Sequence, residues 1–236
     1  MLRAWAHGRR ELFDDPDADA ATVVASLRDI ARANRFFGGS AAALSRLEEF
    51  FGAVPAGTAL TLLDVGTGDG GIPRAAQRRA ASLGLRLTLI GVERHGAAAR
   101  LAAQGGALAP LVADASLLPL RAGSVDLVLC SQLLHHFRGR VLVAAIAELA
   151  RVARLGVVVA DLRPSAVAAL GFWLAAFPLH FHPVTRHDGF VSVLRGFTPA
   201  ALEDACREAG VRAAVRTHPG FRVTAAWATC QQGGRA

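Results

Sequence analysis

The sequence contains no lysine and no tyrosine, and these two absences already exclude particular nucleotide-dependent functions. All 26 residues of the Lys+Arg total are arginine. A phosphate-binding P-loop ends in Gly-Lys-Ser/Thr, so this chain cannot form one. The Tyr-x-x-x-Lys dyad of one class of NAD-dependent oxidoreductases is excluded for the same reason.

Cysteine is also scarce, with only Cys130, Cys206 and Cys230 in 236 residues. Their number is odd and no CxxC or Cys/His ligand spacing occurs, so neither a disulfide framework nor a zinc site is predicted. The longest apolar run, residues 166–179, has 14 residues, whereas a membrane span needs about 20. The N-terminus lacks an apolar signal-peptide core. We therefore expect a soluble, cytoplasmic protein.

The composition favours a globular protein over a nucleic-acid-binding one. The hydrophobic fraction of 53% supports a large core, and the formal net charge is +7. The arginines are scattered along the chain, whereas a nucleic-acid interface usually concentrates them in one stripe. A nucleic-acid partner is therefore not favoured.

The order of apolar segments predicts the fold. Residues 17–33 and 40–54 have apolar side chains at helical spacing, and Pro55 and Gly57 then mark a linker. From there apolar strands alternate with helices, which predicts a parallel sheet with helices on both faces. The predicted strands are 59–65, 86–93, 108–115, 124–131, 155–162, 211–217 and 221–229, the last two forming an antiparallel pair.

We therefore predict an α/β, Rossmann-like, doubly wound fold. Its seven-stranded sheet is mostly parallel with an antiparallel final strand, and a helical cap precedes it. The predicted domains are an N-terminal helical cap over 1–57 and a ligand-binding domain over 58–236, with a lid insertion at about 163–196 that contains a polar turn, HPVTRHDG.

The stretch LLDVGTGDGGIP, residues 62–73, is the strongest local signal. Its glycines fit both GxGxxG and GxGxG, so spacing alone does not identify the ligand. Asp64 is more informative, because a carboxylate there would repel a pyrophosphate at the following helix N-terminus. It suits a cationic ligand with an amine, such as S-adenosylmethionine (SAM). Glu93 closes the second strand and can bind ribose hydroxyls of either cofactor.

Four segments in order resemble the class I SAM-dependent methyltransferases, in particular the small-molecule group that includes ubiquinone and menaquinone biosynthesis enzymes. These segments read LLDVGTGDG, GVERH, VADASLLPLRAGSVDLVLCSQLLHHF and ELARVARLGVVVADL. The resemblance implies that SAM is the cofactor. Arg94 departs from the family pattern, which often has an aliphatic residue there against the adenine. Asp114 can meet the adenine or simply cap its own turn. The implied cofactor-binding residues are Asp64, Gly66, Thr67, Gly68, Gly70, Glu93, Arg94, Asp114, Ala115, Ser131 and Gln132.

Two histidines after the fourth strand are candidates for catalysis. His135 and His136 lie where an open α/β sheet places its active site, and histidine is a suitable base near neutral pH. Asp161, at the end of the fifth strand, could orient one of them. The alternative is that one histidine caps a helix and the other faces solvent.

The apolar segment 165–181 favours a buried lid helix. Alternatively, its Phe172, Trp173 and Phe177 form a wall of an apolar acceptor pocket or contact a membrane surface. The candidate acceptor contacts are Phe36, Phe37, Trp173, His187 and Arg195. His187 and Arg195 fit equally well as residues that cap a turn and contribute surface charge. The histidines of this region lack regular ligand spacing, so no metal is predicted.

The predicted function is SAM-dependent methyl transfer to a small, hydrophobic acceptor such as a phenol, quinol or polyketide. O-methylation is favoured over C-methylation, in a secondary-metabolism setting. The alternatives are an RNA methyltransferase and a non-catalytic SAM-fold binding protein. The segment after the fourth strand reads CSQL and lacks the Asn/Asp-Pro-Pro-aromatic motif of enzymes that methylate base amino groups.

Overall fold

The computed structural model describes residues 2–15 and 17–229, and its described strands form one sheet. Cys230 and the glycine-containing C-terminal tail lie outside the described residues. The strands are β1 (Ala59–Val65), β2 (Arg86–Glu93), β3 (Leu108–Val112), β4 (Val125–Ser131), β5 (Ala153–Leu162), β6 (Ala214–His218) and β7 (Arg222–Ala228).

The sheet topology confirms the predicted α/β fold. The strand order is β3-β2-β1-β4-β5-β7-β6, and β7 runs antiparallel to both of its neighbours. The other neighbouring pairs are parallel. Every residue of β4 is buried, as expected for a central strand covered by helices on both faces. Because the order reverses between β1 and β4, a ligand crevice is expected at that point.

Helices connect the strands and precede the sheet. Asp19 caps the second helix by accepting a hydrogen bond from the Thr22 N–H, and Thr198 caps the last helix in front of Pro199. The helices are α1 (Leu2–His7), α2 (Ala20–Phe36), α3 (Gly39–Phe51), α4 (Gly71–Ser82), α5 (Gly96–Ala103), α6 (Gly139–Val152), α7 (Ala166–Ala175), α8 (Pro183–Arg195) and α9 (Pro199–Glu208), with short 3-10 turns at Leu12–Asp14 and Leu134–His136.

Hydrophobic side chains pack on both faces of the sheet. Leu47 and Phe51 of α3 lie with α4 against one face. Ile146 of α6 and Leu202 of α9 lie against the other. The apolar stripe of each helix therefore meets the apolar runs of the strands. This core positions the loops at the carboxyl ends of the strands.

The predicted lid differs from the structure in one respect. The segment HPVTRHDG is not a turn but the beginning of helix α8, with His182 as the N-cap and Pro183 in the first turn. Helix α7 packs beside α8, so a pair of helices covers the carboxyl end of β5. Among the described residues, no helix combines the length and apolar character needed to cross a bilayer.

Candidate active site

A large cavity lies over the carboxyl ends of the parallel strands. It has a volume of about 980 Å³ and extends from the glycine loop after β1 to the start of β7. Residues of α2, α7 and α8 line its other walls. The cavity therefore occupies the crevice beside the reversal in strand order, where open α/β sheets bind ligands.

The glycine loop brings the backbone close to this cavity. Gly66, Gly68 and Gly70 all have left-handed φ values, of 77°, 59° and 73°. A Cβ added at Gly66 would lie 3.1 Å from the side chain of Leu133, so this position lacks room for a side chain. Gly66, Thr67 and Gly68 line the cavity, whereas Gly70 caps α4 just outside it.

Two buried carboxyl groups face the loop. Asp64 is 2% exposed, and its Oδ1 has no hydrogen-bond partner among the described residues. Burial raises the pKa of Asp64 to about 7, with a further contribution from the charge of Glu93. Burial likewise raises the pKa of Glu93 to about 7, and its Oε1 accepts a hydrogen bond of 2.5 Å from the Gly68 N–H. An orphaned buried carboxylate oxygen fits a ligand that carries a cationic amine and disfavours a phosphate.

The adenine-side candidates lie at the same rim. Asp114 Oδ1 accepts hydrogen bonds of 2.8 Å from the Ser116 N–H and 2.6 Å from the Ser116 hydroxyl. These bonds lower the pKa of Asp114. Asp114 thus caps its own turn and also lines the cavity, as do Ala115 and Arg94. Asp114 can therefore cap its own turn and still lie within reach of a ligand in the cavity.

Past β4, Ser131 and Gln132 both line the cavity. Ser131 is buried, and its hydroxyl has no partner among the described residues. Gln132 has a left-handed φ of 53°, and its side-chain amide donates a 2.5 Å hydrogen bond to Asn34 of α2. The loop after β4 is thus joined to the N-terminal helices, a link that the sequence pattern did not indicate.

His135 and Asp161 form a buried pair at the end of the cavity. His135 Nδ1 lies 2.7 Å from Asp161 Oδ1, and the two side chains are 2% and 0% exposed. Burial disfavours the imidazolium, but the Asp161 carboxylate outweighs it and raises the pKa of His135. Despite its own burial, Asp161 has a lowered pKa because of His135. His135 Nε2 has no partner among the described residues. This geometry is that of a base held by an orienting carboxylate.

His136 belongs to a second polar cluster, whose acidic members come from the N-terminal segment. Its Nδ1 lies 2.8 Å from Asp14 Oδ1, and its Nε2 lies 3.7 Å from Glu11 Oε2. Sequence reasoning missed Glu11 and Asp14. Ligand atoms of Glu11, His135 and His136 lie within 4.8 Å of one another, a set that could hold a metal ion. Both Glu11 oxygens, however, already accept hydrogen bonds, one from Arg195 and one from Ser192.

Arg195 is committed to this cluster. Its Nη1 lies 2.8 Å from Glu11 Oε1 and 3.0 Å from Asp14 Oδ2, and its side chain is 8% exposed. It lines the cavity, but its guanidinium pairs with protein carboxylates. The structure therefore gives Arg195 a role in holding the N-terminal segment against α8.

Replacement of Arg195 by methionine is expected to destabilise the protein. It leaves Glu11 and Asp14 without their cation, and loss of one partner of a buried pair costs about 3–5 kcal/mol. For a chain of this size we expect the melting temperature to fall by roughly 10 °C, measured by differential scanning calorimetry. Arg207→Met, at a side chain 67% exposed, is the control and should change little. Equal melting temperatures for both variants would contradict the structural role.

The acceptor-side candidates are only partly brought together. Phe37 lines the cavity, and so does Phe172, which the sequence offered as a candidate wall of the acceptor pocket. Phe36 and Trp173 are 65% and 40% exposed and do not line it. The reason is geometric, since consecutive helical residues point in different directions. His187 also lies outside the cavity, where its ring contacts Asp188 at 3.0 Å.

Residues 63–160 match a family model described as a methyltransferase domain. No curated protein sequence matches the chain significantly. Solved structures show the same fold at low identity. Human N-acetylserotonin methyltransferase in complex with SAM has a TM-score of 0.65 and 12% identity, over 93% of this chain and 59% of the human one.

Two further solved structures align over most of both chains. A SAM-dependent methyltransferase from Aquifex aeolicus has a TM-score of 0.61 and 14% identity, over 89% of this chain and 98% of that chain. Magnesium protoporphyrin IX methyltransferase from Synechocystis PCC 6803 with bound SAM has a TM-score of 0.50 and 13% identity, over 78% of this chain and 77% of that chain. The match to the methyltransferase family model supports S-adenosyl-L-methionine as the cofactor of this chain.

Proposed function

We propose that this chain transfers a methyl group from SAM to a hydroxyl oxygen of a small, apolar acceptor. His135 is the general base, and Asp161 orients it. The buried His135–Asp161 pair, with Nε2 left without a partner, is the observation that carries the proposal.

The cofactor half of the cavity suits SAM on grounds of charge. The Asp64 carboxylate, whose Oδ1 is orphaned, would accept the α-amino group of SAM. Glu93 would bind the ribose hydroxyls, and Ser131 and Gln132 would lie beside the methionine end. SAM supplies a methyl group that its sulfonium already activates. The protein then has to align the acceptor with that methyl group and remove one proton.

The acceptor half of the cavity supports an apolar substrate with one reactive hydroxyl. The volume of about 980 Å³ lies at the upper end of the range for ligand pockets, which leaves room for an acceptor beside SAM. Phe37, Leu133 and Phe172 line this part. The acceptor oxygen attacks the methyl carbon, the carbon–sulfur bond breaks, and the hydroxyl proton passes to His135 Nε2. The products are a methyl ether and S-adenosylhomocysteine (SAH).

The resemblance to the ubiquinone and menaquinone group supports a phenol, quinol or polyketide-like acceptor. The buried dyad favours an enzyme over a non-catalytic SAM-binding protein. A buried imidazole nitrogen without a partner costs stability, and a scaffold would gain nothing from it. An RNA acceptor lacks comparable support, because the arginines are scattered along the chain.

Calorimetry with SAM, SAH and NAD, followed by a labelled-methyl screen of phenols and quinols, tests the proposal. We expect SAM and SAH to bind, NAD not to bind, and label to appear in a phenolic oxygen. Binding of NAD in place of SAM would overturn the cofactor assignment. Label transfer to RNA alone, with salt-dependent RNA binding, would overturn the small-molecule acceptor. SAM binding without transfer to any acceptor would leave the non-catalytic alternative.

A further inference from the structure

Arg222 is a buried cation at the acceptor end of the cavity. It begins β7, is 6% exposed and lines the cavity. It pairs in register with Leu162, the last residue of β5. The preceding residue of β5 is Asp161, the partner of His135. Arg222 therefore lies on the strand next to the one that carries Asp161 of the proposed catalytic pair. The sequence pattern did not indicate a role for it.

The guanidinium of Arg222 is under-satisfied. Its Nε and Nη1 atoms are buried and have no hydrogen-bond partner among the described residues. Arg195, by contrast, forms ion pairs with both Glu11 and Asp14. Burial lowers the pKa of Arg222 to about 10, so the side chain keeps its charge at neutral pH. The Asp161 carboxylate acts on this charge, but it is itself bound to His135 and leaves Arg222 Nε and Nη1 without a hydrogen-bond acceptor. Buried unsatisfied donors on a cation are costly, which indicates that an anion completes this site.

The strand order separates Arg222 from the cofactor. Asp64 and Glu93 end β1 and β2, whereas β4 and β5 lie between β1 and β7. Neighbouring strands are about 4.8 Å apart, so β7 is roughly 14 Å from β1. His135, on the turn after β4, lies between the two regions. A molecule whose hydroxyl reaches His135 would extend its far end toward Arg222.

We propose that Arg222 binds a carboxylate of the methyl acceptor, so that the acceptor class is hydroxyl-bearing apolar carboxylic acids, such as hydroxybenzoates and hydroxynaphthoates. This inference rests on the proposed function. It adds that the acceptor is recognised at two points, its hydroxyl at His135 and its carboxylate at Arg222. Arginine presents a planar set of donors that matches a carboxylate. The apolar wall of Phe37 and Phe172 contacts the ring between these two points.

The test compares matched acids and amides on SAH-loaded protein. Isothermal titration calorimetry with hydroxybenzoates, hydroxynaphthoates and their carboxamides measures binding without requiring turnover. We expect at least one acid to bind about 10- to 100-fold more tightly than its carboxamide. Arg222→Met should abolish that preference. Arg163→Met, which removes the same charge just beyond β5 but outside the cavity lining, should retain it.

Two further measurements separate this role from a structural or cofactor role. Arg222→Met removes a buried guanidinium with two unsatisfied N–H groups, so the melting temperature without acceptor should not fall, and the SAH affinity should stay unchanged. A lower melting temperature would overturn the proposal, and so would a loss of SAH affinity. It would equally be overturned if no acid binds more tightly than its carboxamide, or if the preference survives in Arg222→Met.

These outcomes are distinguishable from those of the proposed function. Methyl transfer to neutral phenols without an acid preference would leave the proposed function standing and overturn the role of Arg222. An Arg222-dependent acid preference without methyl transfer would support the anion site and count against the proposed function.

Discussion

Replacement of His135 by asparagine is expected to lower kcat for methyl transfer by about 10²- to 10⁴-fold, the contribution of a positioned general base. Asparagine removes the Nε2 acceptor but can still donate a hydrogen bond to Asp161. The Kd for SAM, measured by calorimetry, should therefore stay unchanged while turnover of a phenolic acceptor collapses. The structural basis is the 2.7 Å contact to Asp161 and the Nε2 atom without a partner.

His136→Asn is the matched control, because His136 also has Nδ1 against a carboxylate, that of Asp14. We expect a much smaller loss of kcat for this variant. A larger loss for His136→Asn than for His135→Asn would move the base role to His136. A chelator control completes the experiment, since the set of Glu11, His135 and His136 could hold a metal ion. Loss of wild-type activity in EDTA, restored by a divalent metal, would contradict the base mechanism.

The placement of the proposed cofactor-binding residues could be predicted because it is fixed by their position on the sheet. Asp64 and Glu93 close two neighbouring parallel strands, and the carboxyl ends of parallel strands meet at one edge. Their spacing in the sequence is therefore enough to place them together. Asp161 was predicted in the same way, since it lies at the end of β5, beside β4. The turn that carries His135 follows directly from β4.

The polar residues at the other end of the cavity could not be placed in this way, because their contacts join distant parts of the chain. Glu11 and Arg195 are 184 residues apart, and no local pattern relates them. Arg222 reads as an ordinary polar residue at the start of a strand. Its burial depends on the helices that cover β7.

Helix α8 was missed for a different reason. The dipeptide Asp188-Gly189 suggests a turn, yet Gly189 lies inside a helix. A Cβ there would overlap the ring of Phe172 on α7. The glycine is therefore a packing requirement between two helices. The uniformly apolar α7 likewise gives no periodicity from which Trp173 could be assigned to the exposed side and Phe172 to the cavity.

Replacement of Asp64 by asparagine is expected to weaken SAM binding by about 10- to 100-fold, through loss of a charged hydrogen bond in a buried site. The pH dependence of binding should change as well. Burial raises the pKa values of Asp64 and Glu93 to about 7, and a cationic ligand binds the ionised carboxylates. Wild-type affinity should therefore rise with pH, by about tenfold per titrating group between pH 6 and pH 8. In Asp64→Asn only Glu93 titrates in this range, so the rise in SAM affinity between pH 6 and pH 8 should be about tenfold smaller than in the wild-type protein.

The same pKa shifts fix the sign of the effect on stability. A carboxyl group whose folded-state pKa is raised favours folding when protonated, so the cofactor-free protein should lose stability as the pH rises toward 7 and slightly beyond. SAM should offset this loss, because it binds the ionised form. Asp114→Asn serves as the control. Hydrogen bonds from Ser116 lower the pKa of Asp114, so this variant should keep the wild-type dependence of SAM affinity on pH. A pH-independent Kd for SAM in the wild-type protein would show that Asp64 does not bind the amino group of the cofactor and that Glu93 does not bind its ribose.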